Sequence, residues 1–305
     1  MTATALPLSG NGAASVGDYF TLLKPRVMSL VVFTALAGMI TAPGHLDPMT
    51  ALTALLCIAV GAGASGALNM GYDSDIDGLM TRTRARPIPQ GRIARGEALA
   101  FGWTLGVGAV AVMGLFVNLV AAALLAVTIL FYVVVYTLLL KRFTPQNIVI
   151  GGLAGALPPA IGWSAVTGGV SLASLLLVGI IFLWTPPHFW ALALWRSDDY
   201  ARAGVPMMPV VRGKRATRWQ IMAYTLALVP AGIAPVFFGI GGRLYLVAAV
   251  VLGGAFLFQS ARVLGEKDEQ REPQARRLFA LSLLYLFALF ASLIVEHGFG
   301  TGVRA

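Results

Sequence analysis

The sequence predicts an all-α polytopic membrane protein of nine transmembrane helices, and three observations carry that expectation. Hydrophobic residues make up 58% of the 305 and charged residues only 11%, a balance far from that of soluble or disordered chains. Of the 35 Asp, Glu, Lys and Arg residues, 26 fall within residues 73–97, 196–218 and 262–277, so the stretches between are almost free of formal charge. Those stretches lack the period-2 alternation of barrel strands, and the helix is then the structure that satisfies a backbone in lipid.

A hydrocarbon core about 30 Å thick needs about 20 helical residues to cross it. Residues 27–46 and 48–72 each supply one span. The run 98–140 is long enough for two with a turn near Asn118, and 143–195 for two with a turn at Gly168-Gly169. Residues 219–242, 244–261 and 278–295 complete the nine. Threaded from a cytoplasmic N-terminus, the spans put 20 of the 22 Lys and Arg residues on one side and leave Arg243 and Arg304 opposite. The positive-inside rule makes the loaded side cytoplasmic and sends the C-terminus to the other face. The net charge of +9 is thus mostly topology, and no nucleic-acid partner is expected.

Residues 1–17 are polar and small, with neither a basic start nor a long apolar core. They predict a flexible cytoplasmic tail rather than a cleaved signal. A single nine-helix domain then occupies 18–297 and a short tail 298–305. The one cysteine, Cys57, excludes an intrachain disulfide, a Cys-rich zinc site and a CxxC redox pair. No glycine-rich nucleotide loop, serine-nucleophile motif or HExxH occurs.

The strongest chemical signal is Asn69-Met-Gly-Tyr-Asp73-Ser-Asp75-Ile-Asp77 at the cytoplasmic end of the second span. If the helix continues, Asn69, Asp73 and Asp77 recur every four residues on one face, while Asp75 points away. Converging carboxylates repel unless they share a cation, and an all-oxygen set suits Mg²⁺ held jointly with phosphates. The bland alternative is a solvated acidic helix end. Arg82-Thr-Arg84-Ala-Arg86 follows directly and offers bidentate donors for phosphate oxygens. Lys24-Pro-Arg26 and Tyr136 with Lys141-Arg142 lie at the same end. Any one of these cations could equally anchor the chain beside lipid headgroups.

A second acidic site is Asp198-Asp199-Tyr200, preceded by Trp184-Thr-Pro-Pro-His188-Phe-Trp190 in the sixth span. Adjacent helical residues diverge by about 100°, so one carboxylate of the pair is expected to act, and Asp199 is the candidate. His188 lies inside the membrane, where a polar ring faces the bundle and not lipid; a hydrogen-bonded structural role is equally compatible. Pro186-Pro187 should kink or interrupt the helix, and Pro158-Pro159 should break the fifth span. Phe20, Tyr72, Phe101, Trp103, Phe189 and Trp190 could line a hydrophobic pocket or serve only as packing.

These motifs resemble the UbiA-type intramembrane prenyltransferases over most of residues 19–295. Within that superfamily, Lys24-Pro-Arg-Val27, Asn69 to Asp77 with Arg82-Thr-Arg-Ala-Arg86, Lys141 to Asn147, and Pro187-His-Phe189 through Asp199-Tyr200 look like the haem-farnesylating branch. The resemblance implies farnesyl diphosphate and haem b as substrates, Mg²⁺ as cofactor and a bacterial inner (plasma) membrane location. It further implies contact with membrane lipid and with downstream haem A synthesis or oxidase assembly proteins. It carries metal binding onto Asn69, Asp73, Asp77 and Asp199, and catalysis onto Asp73, Asp77, Asp199 and His188. Diphosphate contacts carry onto Lys24, Arg26, Arg82, Arg86, Lys141 and Arg142. Superfamily members acting on aromatic acids commonly show a second Asp-xxx-Asp, which Pro187-His188-Phe189 and an Asp-Asp pair replace here. A quinone or chlorophyll precursor as acceptor, and a secondary transporter, stay open as alternatives.

Overall fold

The computed structural model describes residues 14–298, so most of both expected tails lies outside the described residues. The first helix, α1 (Val16–Leu22), begins inside the expected N-terminal tail because Ser15 and Asp18 form a capping box, which satisfies two orphan helix donors. Lys24 then adopts a left-handed conformation at φ 51°, and Pro25 starts α2 (Pro25–Thr41). Proline fits the first turn of a helix but cannot continue the preceding one, and the two axes meet at 52°.

The remaining elements alternate across the bundle. They are α3 (Pro48–Tyr72), α4 (Ser74–Asp77), α5 (Arg95–Phe116), α6 (Leu119–Leu130), α7 (Lys141–Phe143), α8 (Asn147–Ala156), α9 (Pro158–Thr167) and α10 (Leu172–Trp195). After them come α11 (Ser197–Arg202), α12 (Met208–Val211), α13 (Gly213–Phe237), α14 (Arg243–Leu264) and α15 (Pro273–Gly298). A π-helical stretch, Phe131–Leu140, joins α6 to α7 within one apolar rod. Among the described residues, eight helices are long and apolar enough to cross a membrane, and the bent α1–α2 pair makes a ninth if it is one span.

Asn118 caps α6 at the expected turn, its side chain accepting from Ala121 N at 2.8 Å. Gly168, left-handed at φ 68°, ends α9 at the other. The two proline pairs behave differently. Pro158 starts α9 after a break at Leu157, as expected. Of the kink or interruption expected at Pro186-Pro187, the interruption is absent: α10 stays helical from Leu172 to Trp195. Both prolines are buried there, and α10 is packed against α8, α13 and α15. Tertiary packing can thus outweigh the lost donors, as it does in transmembrane helices generally.

Two apolar cores fill the bundle, one centred on α10, α13, α14 and α15, the other on α3, α5, α6 and α9. Between them α2 crosses α9 backbone to backbone. A Cβ added at Gly162 would overlap the Ala35 carbonyl oxygen, and one at Gly38 the Pro159 carbonyl oxygen, so only glycine permits this approach. The start of α2, the ends of α3 and α10 and the π-helical stretch, which carry the polar motifs, come together at one end of the bundle.

Candidate active site

Asp73 is at once the C-cap of α3 and the N-cap of α4. The break does not disturb the four-residue register, because Asp73 N donates to Asn69 O and Asp77 N to Asp73 O, both at 2.9 Å. Asn69, Asp73 and Asp77 are therefore buried together while Asp75 is exposed. Each buried acid meets a cation. Lys141 Nζ pairs with Asp73 Oδ2, and Arg86 with Asp77 Oδ2 at 2.6 Å. Arg142 grips Asp75 through both terminal nitrogens at 2.7 and 2.8 Å and lies 3.8 Å from Asp73 Oδ1. That fork holds the Asp75 carboxyl at about 2, well below the ordinary carboxylate value.

Asn69 organises the inner edge of the site. Its amide nitrogen donates to Asp73 Oδ2 at 2.7 Å and to Thr137 Oγ1 at 3.1 Å, and its Oδ1 accepts from Lys24 Nζ at 2.7 Å. Thr137 sits in the π-helical stretch and donates to Tyr132 O at 2.9 Å, five residues back. Its hydroxyl hydrogen is thereby committed, so the oxygen is left to accept from Asn69. The left-handed turn at Lys24 is what aims that side chain from the mouth of α2 toward α3.

The second site forms where α10 gives way to α11. Asp199 is buried and Asp198 exposed. Asp199 Oδ1 accepts from the Thr81 hydroxyl at 2.9 Å and pairs with Arg202, while Arg196 lies 3.7 Å from Oδ2. Thr81 belongs to the loop that leaves α4, so the two acidic segments are joined directly. An apolar wall reinforces the link: Ile76 and Met80 pack with Tyr200, Val205 and Met207. Arg82 is exposed beside Tyr200, whose phenol is raised above its ordinary value chiefly by burial.

Of the expected phosphate-binding cations, Lys24, Arg86, Lys141 and Arg142 contact the acidic stripe or its flanks. Arg82 stands beside the second segment. Arg26 is exposed and its side chain makes no ion pair among the described residues. His188 lies deeper in the bundle, its ring stacked between Trp184 at 4.3 Å and Phe279 at 4.5 Å.

Sequence reasoning missed Thr81, Thr137, Arg196, Arg202 and Ser282, the last being the 2.6 Å partner of His188 Nδ1. Thr137 had a faint signal, one hydroxyl in the apolar run Phe131–Leu140. Thr81 had none, since its partner lies 118 residues away.

The donor set fits a hard divalent cation. Asp73 Oδ1 and Asp199 Oδ2 are sealed from water yet accept no hydrogen bond, an arrangement that costs free energy unless a cation completes it. Among the described residues, no three His, Cys, Asp or Glu side chains are grouped to hold an ion unaided. The ligands on offer suit an ion shared with phosphate oxygens and not one caged by protein.

Among the described residues the bundle has eight candidate spans, or nine if the bent α1–α2 pair is one, with paired acidic segments at one end. The UbiA prenyltransferase family model matches residues 30–291, and the chain belongs to that family. More particularly, it is 59% identical over 302 residues to the protoheme IX farnesyltransferase of Parvibaculum lavamentivorans, covering 99% of this chain and 94% of that protein. It is 58% identical over 291 residues to the protoheme IX farnesyltransferase of Azorhizobium caulinodans, covering 95% of each. The fold matches a digeranylgeranylglyceryl phosphate synthase at a TM-score of 0.76 and 18% identity, covering 92% of this chain and 98% of that one. It also matches a UbiA homologue from Archaeoglobus fulgidus bound to DMAPP and Mg²⁺, at a TM-score of 0.70 and 17% identity, covering 91% and 99%.

Proposed function

We propose that the chain transfers the farnesyl group of farnesyl diphosphate to a vinyl group of haem b, with addition of water, giving haem O and diphosphate. The observation that carries the proposal is the near-complete-length identity of about three residues in five to relatives named for this reaction. Cleavage of the farnesyl C1–O bond leaves its electron pair on the diphosphate. C1 then bonds to the outer vinyl carbon, and water adds its oxygen to the inner carbon and loses a proton.

Asn69, Asp73, Asp77 and Asp199 would hold Mg²⁺, which when bound neutralises charge on the diphosphate and eases its departure. Lys24, Arg86 and Lys141 already stand beside those acids and would turn toward the diphosphate oxygens, adding fixed positive charge where negative charge develops. Arg82, Arg142 and Arg26 would steer the anion inward. Tyr132 and Tyr136 form a tilted pair 5.2 Å apart on the stretch that carries Thr137. Their faces would steady an allylic cation by about 0.5–2 kcal/mol each. The surrounding apolar helices keep bulk water from quenching it.

The same reading places the site on the cytoplasmic side of a bacterial inner membrane, N-terminus inside and C-terminus outside. Proteins that convert haem O to haem A or assemble an oxidase are then natural receivers of the product. Purified protein incubated with farnesyl diphosphate, Mg²⁺ and haem b should yield a haem heavier by one farnesyl group and one hydroxyl group. A product formed only with a quinone or chlorophyll precursor as acceptor would overturn the assignment.

A further inference from the structure

We infer that Ser282 is a positioning residue for the acceptor half of the reaction, fixing His188 in the tautomer that presents its Nε2 lone pair to the iron of haem b. The inference rests on haem b being the acceptor. Ser282 Oγ donates its single hydrogen to Phe279 O at 2.6 Å. Its contact with His188 Nδ1, also 2.6 Å, must then run from Nδ1–H to the serine oxygen, because a hydroxyl has one hydrogen and spare lone pairs. The proton sits on Nδ1, and Nε2 is left as the acceptor.

The surroundings leave that nitrogen one direction of approach. Trp184 and Phe279 cover the two faces of the imidazole, and Phe189 meets it edge-on at 5.2 Å, so a partner can approach only along the ring plane. Nε2 makes no hydrogen bond among the described residues and is not one of the sealed polar atoms. A metal ion meets imidazole in that plane, and a metal-binding histidine typically donates its other N–H to a fixed oxygen. No carboxylate is bonded to His188 or Ser282 among the described residues, so a protonated imidazole would have no counter-charge beside it. The clamp is also rigid. Trp184 Nε1 donates to the Ser282 backbone oxygen at 2.8 Å, tying α10 to α15 at this level independently of the serine hydroxyl.

Haem b and iron-free protoporphyrin IX, each titrated into purified full-length protein in detergent, separate positioning from packing. Wild type should show an iron–histidine stretch in the resonance Raman spectrum of ferrous haem. Ser282→Ala keeps the backbone bond to Trp184 but should lower haem b affinity about tenfold or more and deplete that band, with protoporphyrin IX affinity unchanged. His188→Gly should lose the band, and added imidazole should restore it. An undiminished band in Ser282→Ala, equal losses for both porphyrins, or no histidine band in wild type would each overturn the inference. If wild type converts haem b while any of these holds, the positioning role alone fails; if no farnesylated haem forms, the proposed function fails with it.

Discussion

The Thr81 hydroxyl donates to Asp199 Oδ1 at 2.9 Å and receives a 3.2 Å hydrogen bond from Arg202. One side chain in the loop after α4 thereby holds the second carboxylate in place from the first acidic segment. If the two segments close on a shared ion and diphosphate, their separation matters as much as their composition. Thr81→Val should lower turnover about tenfold, the scale of one lost hydrogen bond to a buried charged group, and raise the Mg²⁺ concentration giving half-maximal rate. Thr81→Ser should retain both. Equal Mg²⁺ dependence in Thr81→Val and wild type would show that this link is only structural.

Asp73→Asn and Asp77→Asn remove charge while keeping shape. Both variants should insert into the membrane normally. Turnover should fall at least about a hundredfold, as when one preorganised electrostatic contact is lost at a reacting centre. Product quantified by mass across a Mg²⁺ series is the measurement, and undiminished formation by either variant would reject the assigned role.

The spans and the acidic stripe were legible because each is written locally. Charge-free runs set the helices, Asn118 and Gly168-Gly169 mark two turns, and a four-residue repeat puts Asn69, Asp73 and Asp77 on one face. Thr137 and Ser282 were hidden for a different reason. A single hydroxyl in an apolar helix is ordinary, and its meaning comes from a partner 68 or 94 residues away. At Pro186-Pro187 the local signal for an interruption is overridden by neighbours that no local pattern shows. The left-handed turn at Lys24 was equally hidden: Pro25 announces a helix start, but not that the preceding lysine is swung onto Asn69.

The crossing of α2 and α9 gives a test of stability distinct from chemistry. At Gly162 an added methyl meets the Ala35 backbone, and at Gly38 the Pro159 backbone. Backbone cannot swing aside as a side chain can, so the helices must separate. Gly162→Ala and Gly38→Ala should each cost about 1–3 kcal/mol, read as a lower Tm in detergent with the Mg²⁺ dependence of the surviving activity unchanged. A wild-type Tm in Gly162→Ala would contradict the close approach.

Lys141 and Asp73 form the pair on which metal binding bears most directly. Asp73 is fully buried, and its Oδ1 accepts no hydrogen bond, so its charge depends on Lys141, on the Asn69 amide and on Arg142 at a distance. Lys141→Met removes the nearest cation and leaves the carboxylate in place. Breaking a buried pair from one side costs about 3–5 kcal/mol, and the metal-free variant should unfold at a clearly lower temperature than wild type. Asp73→Asn combined with Lys141→Met removes the stranded charge and should recover most of the loss, a non-additivity expected of direct partners. Mg²⁺ supplies a cation by another route. If Asp73 is one of its ligands, adding it should raise the Tm of Lys141→Met more than that of wild type, because binding to the folded form stabilises it by mass action and the variant has the greater deficit of positive charge. The double variant should show almost no such rise. Equal Mg²⁺ shifts in all three proteins would place the ion away from Asp73, leaving Asp77 and Asp199 as its carboxylate ligands.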